Sequence, residues 1–385
     1  MSEKHLTIAD IARQAGVSKA TVSRVLNAKP DVDPATRERI LRLMNEQGFV
    51  PSASATNLAG GRSHLIGMLV RSYTWLFIPE IMRAVADRID LTPYELVLYR
   101  MNDQLPDEDG IPAISRLLGA NLTAGVLAVF PGQASAHLAH LTQKAIPLVV
   151  IDDQYHPTEL PWGKIPIPWI TSDNTTGAYE AVRHLIGHGH QRIAHLQGPM
   201  KWLCSRERHE GYCQALAEAG LPLDPALILE GDFTAVTGQS TAEQLFSLPP
   251  EQRPTAIFAS SDLMAYGVLA AAQQRHISIP DQVALVGFDD LADMAESVVV
   301  VAPGQLPLTT IKQDFYEMGR YAMEQLFTLL ETSYSVYRPR GWTFPHESTA
   351  PASATTAPGA INRIRLPVKL IIRDSCGCGL SAARA

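Results

Sequence analysis

Hydrophobic positions along this chain change their period once, near residue 64. Before that point they recur at helical spacing. Ile8, Ile11, Ala12 and Ala15 form an i, i+3, i+4, i+7 stripe, Val22, Val25 and Leu26 a second, and Ile40, Leu43 and Met44 a third. Each stripe is bounded by capping chemistry. The Thr7 and Ser18 hydroxyls precede the first two, Asp33-Pro34 couples an N-cap to a proline at the first helical position, and Gly16 and Gly48 supply stops. Three short helices are therefore predicted in residues 1–50, the first two joined by a turn as short as that of a helix-turn-helix. Residues 51–63, PSASATNLAGGRS, are small, polar and glycine-rich. They read as a linker in which 52–59 can form two helical turns, marginal in isolation and therefore dependent on a partner.

From His64 onward, apolar runs of strand length alternate with helical stretches: LIGMLV, then IPEIMRAVADRI; YELVLYR; PAISRLLGAN, then AGVLAVF; QASAHLAHLTQKA, then PLVVID. A second set begins near Thr171, with TTGAYEAVRHLIGHGH before RIAHLQG, RERHEGYCQALAEAG before LILEGD, TGQSTAEQLFSL before TAIFASS, and DLMAYGVLAAAQQRH before VALVGFDD. Such alternation predicts parallel sheets covered by helices, here in two α/β lobes with a ligand cleft at the strand ends between them. The expected partition of residues 64–385 is an N-lobe of about 64–170 plus 304–330 and a C-lobe of about 171–303 plus 364–385, with LPVKLIIRD as one further strand. Between them, 332–362 is rich in Pro, Ser, Thr and Ala, lacks a period, and reads as a flexible insertion. There is no internal repeat.

Composition fits a globular chain of two or three domains: 385 residues, 46% hydrophobic and 18% charged, with no eighteen-residue apolar window and no basic-then-apolar leader. A cytoplasmic protein without a membrane partner is expected. The net charge of −7 argues at first against a polyanion partner, but residues 1–62 hold nine Lys or Arg against six acids, leaving −10 on the other 323. The positive excess thus falls on the helical segment.

The stretch VSKATVSRVLN in that segment shows why. With Val22, Val25 and Leu26 turned inward, Lys19, Ala20, Ser23, Arg24 and Asn27 lie on or beside the outer face. A major groove accepts one α-helix, a guanidinium bridges both acceptors of guanine, and short hydroxyls near a helix N-terminus reach phosphates. The competing reading is a solvated polar face on a small bundle.

Other clusters invite enzymatic readings. His184 and His188 share a helix face at i, i+4, but His190 follows a turn glycine and His195 lies inside an apolar run, so the four are expected to stay apart as structural residues. The C-x-C pair Cys376/Cys378 would hold a soft metal only if two more ligands came from elsewhere, and no metal or cofactor is expected. With only two further cysteines, Cys204 and Cys213, there is no disulfide framework. No phosphate-binding P-loop, nucleophile elbow or dinucleotide fingerprint occurs, so a sugar-modifying α/β enzyme rests on fold analogy alone. A transport-type sugar-binding protein would need an export signal.

The runs TIADIARQAGVSKATVSRVLN, TRERI, GFVPSASATNLAGGRSHLIG, DNTTGAYEAVRHLIGHGHQRIAHLQGP, SRERHEGY, PTAIFASSDLMAYGV, VALVGFDD and LTTIKQDF, in that order, resemble the LacI/GalR family of bacterial transcription regulators. The similarity spans Thr7 to about Leu330 and resumes over Leu366–Asp374. It implies an all-α helix-turn-helix headpiece (1–50), a hinge helix (51–63) and an α/β core of two periplasmic-binding-protein-like lobes with parallel sheets. The implied protein is a homodimeric repressor that binds a pseudo-palindromic double-stranded operator, is controlled by a sugar-like effector, and needs no cofactor.

By position in that resemblance, Lys19, Ala20 and Arg24 match base-reading residues, and Thr7, Ser18, Thr21 and Asn27 match contacts to the DNA backbone, with Ser23 on the same helix. Leu58 matches the leucine that wedges into the central minor groove, a kink that costs a few kcal/mol per unstacked step. Asp152, Arg208 and Asp289 match polar effector contacts and Phe233 an aromatic that packs on the ligand. Two carboxylates, a guanidinium and a ring suit a polyhydroxylated ligand; read singly, the acids are equally turn caps and Arg208 a surface partner of Glu207 or Glu210. Ser261 is the fifth expected effector contact and also a departure, since many relatives have Asn-Asp in the pocket loop where this chain has Ser261-Asp262; another departure is Phe49, where tyrosine is frequent. Trp75, Leu76, Phe77 and Trp202 either close the pocket or belong to the core, and VVVVAPGQLP has no interpretable counterpart.

Overall fold

A computed structural model describes residues 6–26, 31–49, 63–101, 123–132, 138, 141, 145–152, 167–291, 307–333 and 363–378. Three helices form at the N-terminus: α1 (Ile8–Ala15), α2 (Lys19–Leu26) and α3 (Pro34–Glu46). Their caps are those the sequence predicts. Thr7 and Asp10 exchange hydrogen bonds in a capping box, Ser18 Oγ accepts from the Thr21 N–H at 3.1 Å, and both Asp33 oxygens accept from the first turn of α3. Gly16 ends α1 at φ +64°, where a side chain would be strained. Ile11, Val22 and Ile40, each fully buried, meet at the centre of a small core to which all three helices contribute.

The remaining elements make two α/β lobes. The first sheet has six strands, all parallel, in the order β11-β5-β4-β3-β1-β2: β1 (Leu65–Val70), β2 (Glu95–Arg100), β3 (Gly125–Val129), β4 (Leu148–Ile151), β5 (Trp169–Ser172) and β11 (Arg363–Leu366). The second, in the order β12-β10-β9-β8-β6-β7, comprises β6 (Ile193–Gln197), β7 (Ile228–Glu230), β8 (Ala256–Ala259), β9 (Ala284–Asp289), β10 (Thr309–Lys312) and the antiparallel β12 (Lys369–Ile371). Central strands such as β3, β4 and β8 are buried throughout, which is why they read as unbroken apolar runs. Helices α4 (Ile78–Ile89) and α9 (Phe315–Ser333) pack together on the first sheet. The second sheet carries α5 (Asn174–Gly187), α6 (Leu203–Glu218), α7 (Ala235–Phe246) and α8 (Asp262–Gln274). No described helix is long and apolar enough to cross a membrane.

Among the described residues the chain crosses between lobes at three places, and the expected partition is corrected at each. Thr171 does not open the second lobe: β5 continues in the first sheet through Ser172 before α5 begins beyond Asp173. Residues 304–330 do not lie wholly in the first lobe, because β10 pairs with β9 and only α9 returns. The run LPVKLIIRD is not one strand. Leu366 ends β11 in the first sheet, Pro367, which has no N–H for a ladder, breaks the run, and β12 joins the second. A short buried strand displays no solvent face, so its apolar pattern cannot say which sheet it enters.

Candidate functional site

On the headpiece, α2 buries Val22 and Val25 and leaves Lys19, Ala20 and Arg24 exposed along its outer side, with Thr21 and Ser23 half-buried beside them. The Ser18 and Thr21 hydroxyls lie 2.9 Å apart at the N-terminus of α2. Thr7 is exposed at the start of α1, its hydroxyl donating to Asp10 at 2.6 Å. Arg24 sits 3.5 Å from Asp31 with both side chains more than half exposed, a pair that water screens and a stronger acceptor replaces easily. Asn27 and Leu58 lie outside the described residues, as does the hinge segment 51–62.

A cavity of about 220 Å³ lies between the lobes at the ends of their strands. Its two walls differ in chemistry. The second lobe supplies the polar groups Arg208 on α6, Ser261 before α8, Asp289 at the end of β9 and Gln313 beyond β10, together with the rings of Trp202 and Phe233, while the first-lobe side is lined by the rings of Trp75, Phe77, Phe130 and Phe315. The four first-lobe rings pack on one another, with Phe77 stacked on Phe315 at 5.0 Å and tilted against Phe130 at 5.2 Å, and Phe130 meets Trp202 edge-on at 6.0 Å.

Arg208 is the fixed point of the polar wall. Its Nε donates to Asn174 Oδ1 at 2.9 Å, Nη1 donates to the Ser260 carbonyl at 2.5 Å and stands 3.7 Å from Asp289, and the guanidinium lies 3.7 Å above the Phe288 ring. Neither surface partner considered for it, Glu207 nor Glu210, is the one it takes. Glu207 turns the other way and accepts from Arg363 at 2.6 Å and Arg365 at 3.3 Å on β11, and from Asn174 at 3.2 Å, so that one buried carboxylate ties the lobes together. Asp289 accepts from Gln313 Nε2 at 2.6 Å; burial raises its carboxyl to about 6, opposed by the Arg208 charge. Burial and the Asp289 charge likewise hold neighbouring Asp262 above the ordinary range. Cys204 also lines the cavity, but burial pushes its thiol up to about 12, which leaves it unreactive.

Of the five expected effector residues, Arg208, Phe233, Ser261 and Asp289 line this cavity. Phe233, at φ +69°, lies so close over Gly198 that a Cβ there would fall 2.2 Å from the ring. Ser261 is the N-cap of α8, its Oγ accepting from the Met264 N–H at 3.2 Å. Asp152 departs from expectation. It is buried at the end of β4, accepts from Thr171 Oγ1 at 3.2 Å and does not line the cavity. Burial and the Glu207 charge raise its carboxyl to about 7, with Arg208 and Arg363 opposing. Gln313, Phe130 and Phe315 are additions; their only trace in the sequence is a place just beyond a strand or opening a helix.

Positive φ angles at Phe130, Asp152, Phe233, Asp289 and Asp290 mark where backbone strain collects at the strand ends. The histidine expectation needs one correction. His190 bonds Thr255 and His195 is buried among aromatic rings, but His184 and His188 converge on Cys378.

Comparison with known proteins agrees with both halves of this arrangement. Residues 7–52 match the LacI family of bacterial regulatory proteins, and 182–376 match a periplasmic binding protein-like domain. Catabolite control protein A of Priestia megaterium is 32% identical over 323 residues, covering 84% of this chain and 92% of that one. The lac repressor dimer bound to operator and the anti-inducer ONPF superposes with a TM-score of 0.74 at 28% identity, covering 97% and 99% of the two chains. The complex of the transcriptional regulator CelR with cellobiose gives 0.63 at 27%, covering 96% and 99%. With a relative of that identity aligned over most of its length, the chain belongs to the LacI family of bacterial regulatory proteins.

Proposed function

We infer that this protein is a sequence-specific DNA-binding transcriptional regulator, a repressor of carbohydrate-metabolism genes, whose operator affinity is set by a small sugar-like effector bound between the core lobes. It acts as a homodimer on a pseudo-palindromic operator at the nucleoid of the bacterial cytoplasm. Its relatives are regulators, and the reading assigns no reaction to the cleft.

The observation that carries the effector half is the asymmetry of the cavity, a wall of rings facing Arg208, Asp289 and Gln313. A pyranose has matching sides: its C–H face packs on aromatic carbon, while vicinal hydroxyls take paired bonds from a carboxylate and a guanidinium. The cellobiose held by CelR is a ligand of this class. The DNA half rests on the exposed Lys19, Ala20 and Arg24 face of α2, with Ser18, Thr21, Thr7 and Asn27 assigned to phosphates and Leu58 to the minor-groove wedge. Ligand in the cleft favours one lobe arrangement; a hundredfold change in operator occupancy needs a preference of about 2.7 kcal/mol.

Selection of the purified protein on a randomised duplex library, with and without a panel of mono- and disaccharides, tests both halves. Enrichment of a pseudo-palindrome that one sugar alters is expected. Selection of an operator that responds to nucleosides but to no sugar would overturn the carbohydrate assignment, and no enrichment under any condition would overturn the DNA assignment.

A further inference from the structure

Two fragments that look unremarkable apart, a His-x3-His pair and a Cys-x-Cys pair, meet on the outer side of the second lobe. His184 and His188 lie one turn apart at the end of α5, their rings 4.7 Å from centre to centre. Cys378 Sγ stands 3.0 Å from His184 Nε2 and 3.1 Å from His188 Nε2, and Cys376 Sγ is 2.8 Å from Cys378 Sγ. The intervening Gly377, at φ +79°, turns the chain between the two cysteines in a conformation that favours glycine. Both cysteines are free thiols.

Hydrogen bonding alone serves this cluster poorly. Cys378 Sγ faces two imidazole nitrogens and a second sulfur, and meets them with one weakly donating proton and a sulfur that accepts only weakly. The ligand atoms of His184, His188 and Cys378 lie within 4.8 Å of one another, and a cation among them would take Cys376 Sγ, beside Cys378 Sγ, as its fourth donor. We propose that His184, His188, Cys376 and Cys378 form a zinc site that fastens the C-terminal turn to the end of α5. The donor set is the Cys2His2 combination of closed tetrahedral zinc centres, and thiolate with imidazole disfavours magnesium or calcium. Zinc with sulfur at about 2.3 Å and nitrogen at about 2.0–2.1 Å sets N···S edges of about 3.5 Å and an S···S edge of about 3.8 Å, so the nitrogen–sulfur pairs part by about half an ångström and the two sulfurs, 2.8 Å apart, by about 1 Å as the metal enters. Binding releases the thiol protons to solvent and leaves both sulfurs as thiolates.

The anchorage has a structural consequence. Arg373, in the same terminal segment, pairs at 2.7 Å with Asp290, the neighbour of Asp289, and Ser375 Oγ accepts from the Thr309 N–H and donates to the Leu285 carbonyl. A metal at Cys376/Cys378 holds down the free end of a segment that braces one side of the effector cavity.

The test uses the reduced, chelator-treated full-length protein titrated with cobalt(II) as a spectroscopic stand-in for zinc. One equivalent is expected to give tetrahedral d–d bands with a thiolate charge-transfer band, both bleached by one equivalent of zinc. His188→Ala, at an exposed helix end, and Cys378→Ser should each weaken binding by more than about 100-fold, beyond the loss that follows removal of a supporting contact; His190→Ala should not. In a parallel alkylation experiment on the unsubstituted chain, which does not depend on any variant folding, zinc should protect Cys376 and Cys378. A cobalt spectrum without the charge-transfer band, binding unchanged in His188→Ala, or equal alkylation with and without zinc would overturn the proposal.

Discussion

Asp152→Asn separates a residue that touches the effector from one that acts through the field around it. Asp152 is buried, 1% exposed, and burial with the Glu207 charge raises its carboxyl from an ordinary 3.8 to about 7. Between those two values the folded protein keeps a proton that the unfolded chain has lost, so stability falls as pH rises through that window. At about 1.4 kcal/mol per unit, the penalty is absent below pH 3.8 and reaches about 4 kcal/mol once pH passes 7. Asparagine fits the same place. It tolerates the positive φ of +49°, still accepts from Thr171, and carries no charge.

The variant's stability advantage should therefore grow by about 2–3 kcal/mol between about pH 5 and pH 8. Paired urea titrations of the two full-length proteins at a series of pH values, followed by tryptophan fluorescence, measure that difference directly. Parallel curves with a constant offset would mean that Asp152 titrates alike in both states, and the burial account would be wrong. Because Asp152 does not line the cavity, the same variant should keep its effector response. Loss of response with operator binding intact would return Asp152 to the contact set.

Asp289→Asn keeps the Gln313 contact but removes the charge facing Arg208. Effector affinity should fall by about 1.5–3 kcal/mol in calorimetric titration while operator binding persists, and an unchanged affinity would place the ligand elsewhere. Arg24→Ala should weaken specific operator binding by about 1–3 kcal/mol and relax selection at one base pair; equal losses on operator and random duplex would remove its base-reading role. Gly211→Ala would set a Cβ 2.2 Å from the Thr175 carbonyl oxygen and 2.8 Å from the Tyr179 nitrogen, backbone atoms that cannot swing aside. Forcing α5 and α6 apart should cost about 1–3 kcal/mol, and an unshifted thermal midpoint would show that the helices slide without loss.

What the sequence displayed and what it hid follow from the range of each interaction. The headpiece was legible because its determinants are local: Thr7 caps with a residue three positions on, Asp33 with two residues on the following turn, and Gly16 ends its helix by its own φ. The long buried strands were legible as runs. Their membership in a sheet was not: β11 enters the first sheet by a long-range pairing of Arg363 with Trp169, while β5 and β10 each stay beside the strand before them and the chain changes lobe only after they end. The effector wall was half visible. Arg208 and Asp289 stand in family register, but Phe130 and Phe315 look like ordinary core, and only the fold turns them toward a cavity. In the His-Cys cluster Cys378 stands 190 and 194 residues from its two histidines, and each half alone has too few ligands to suggest a metal.

The crossings explain how a ligand in the cavity biases the lobes. Two of them adjoin the polar wall. Asn174, at the first crossing, joins Arg208 to Glu207, and Gln313, at the second, holds Asp289. The third passes from β11, where Arg363 and Arg365 grip Glu207, to β12 and on to Arg373, which donates to Asp290 beside the end of β9. Arg208 and Asp289, which line the cavity and are proposed as effector contacts, are thus bonded directly to the segments whose backbone angles change if one lobe rotates on the other. Hydrogen bonds to Arg208 and Asp289 then differ between lobe arrangements, which is the condition for a ligand to shift a population at all. Two such bonds to charged groups, at about 1.5 kcal/mol each, reach the roughly 2.7 kcal/mol that a hundredfold change in operator occupancy requires.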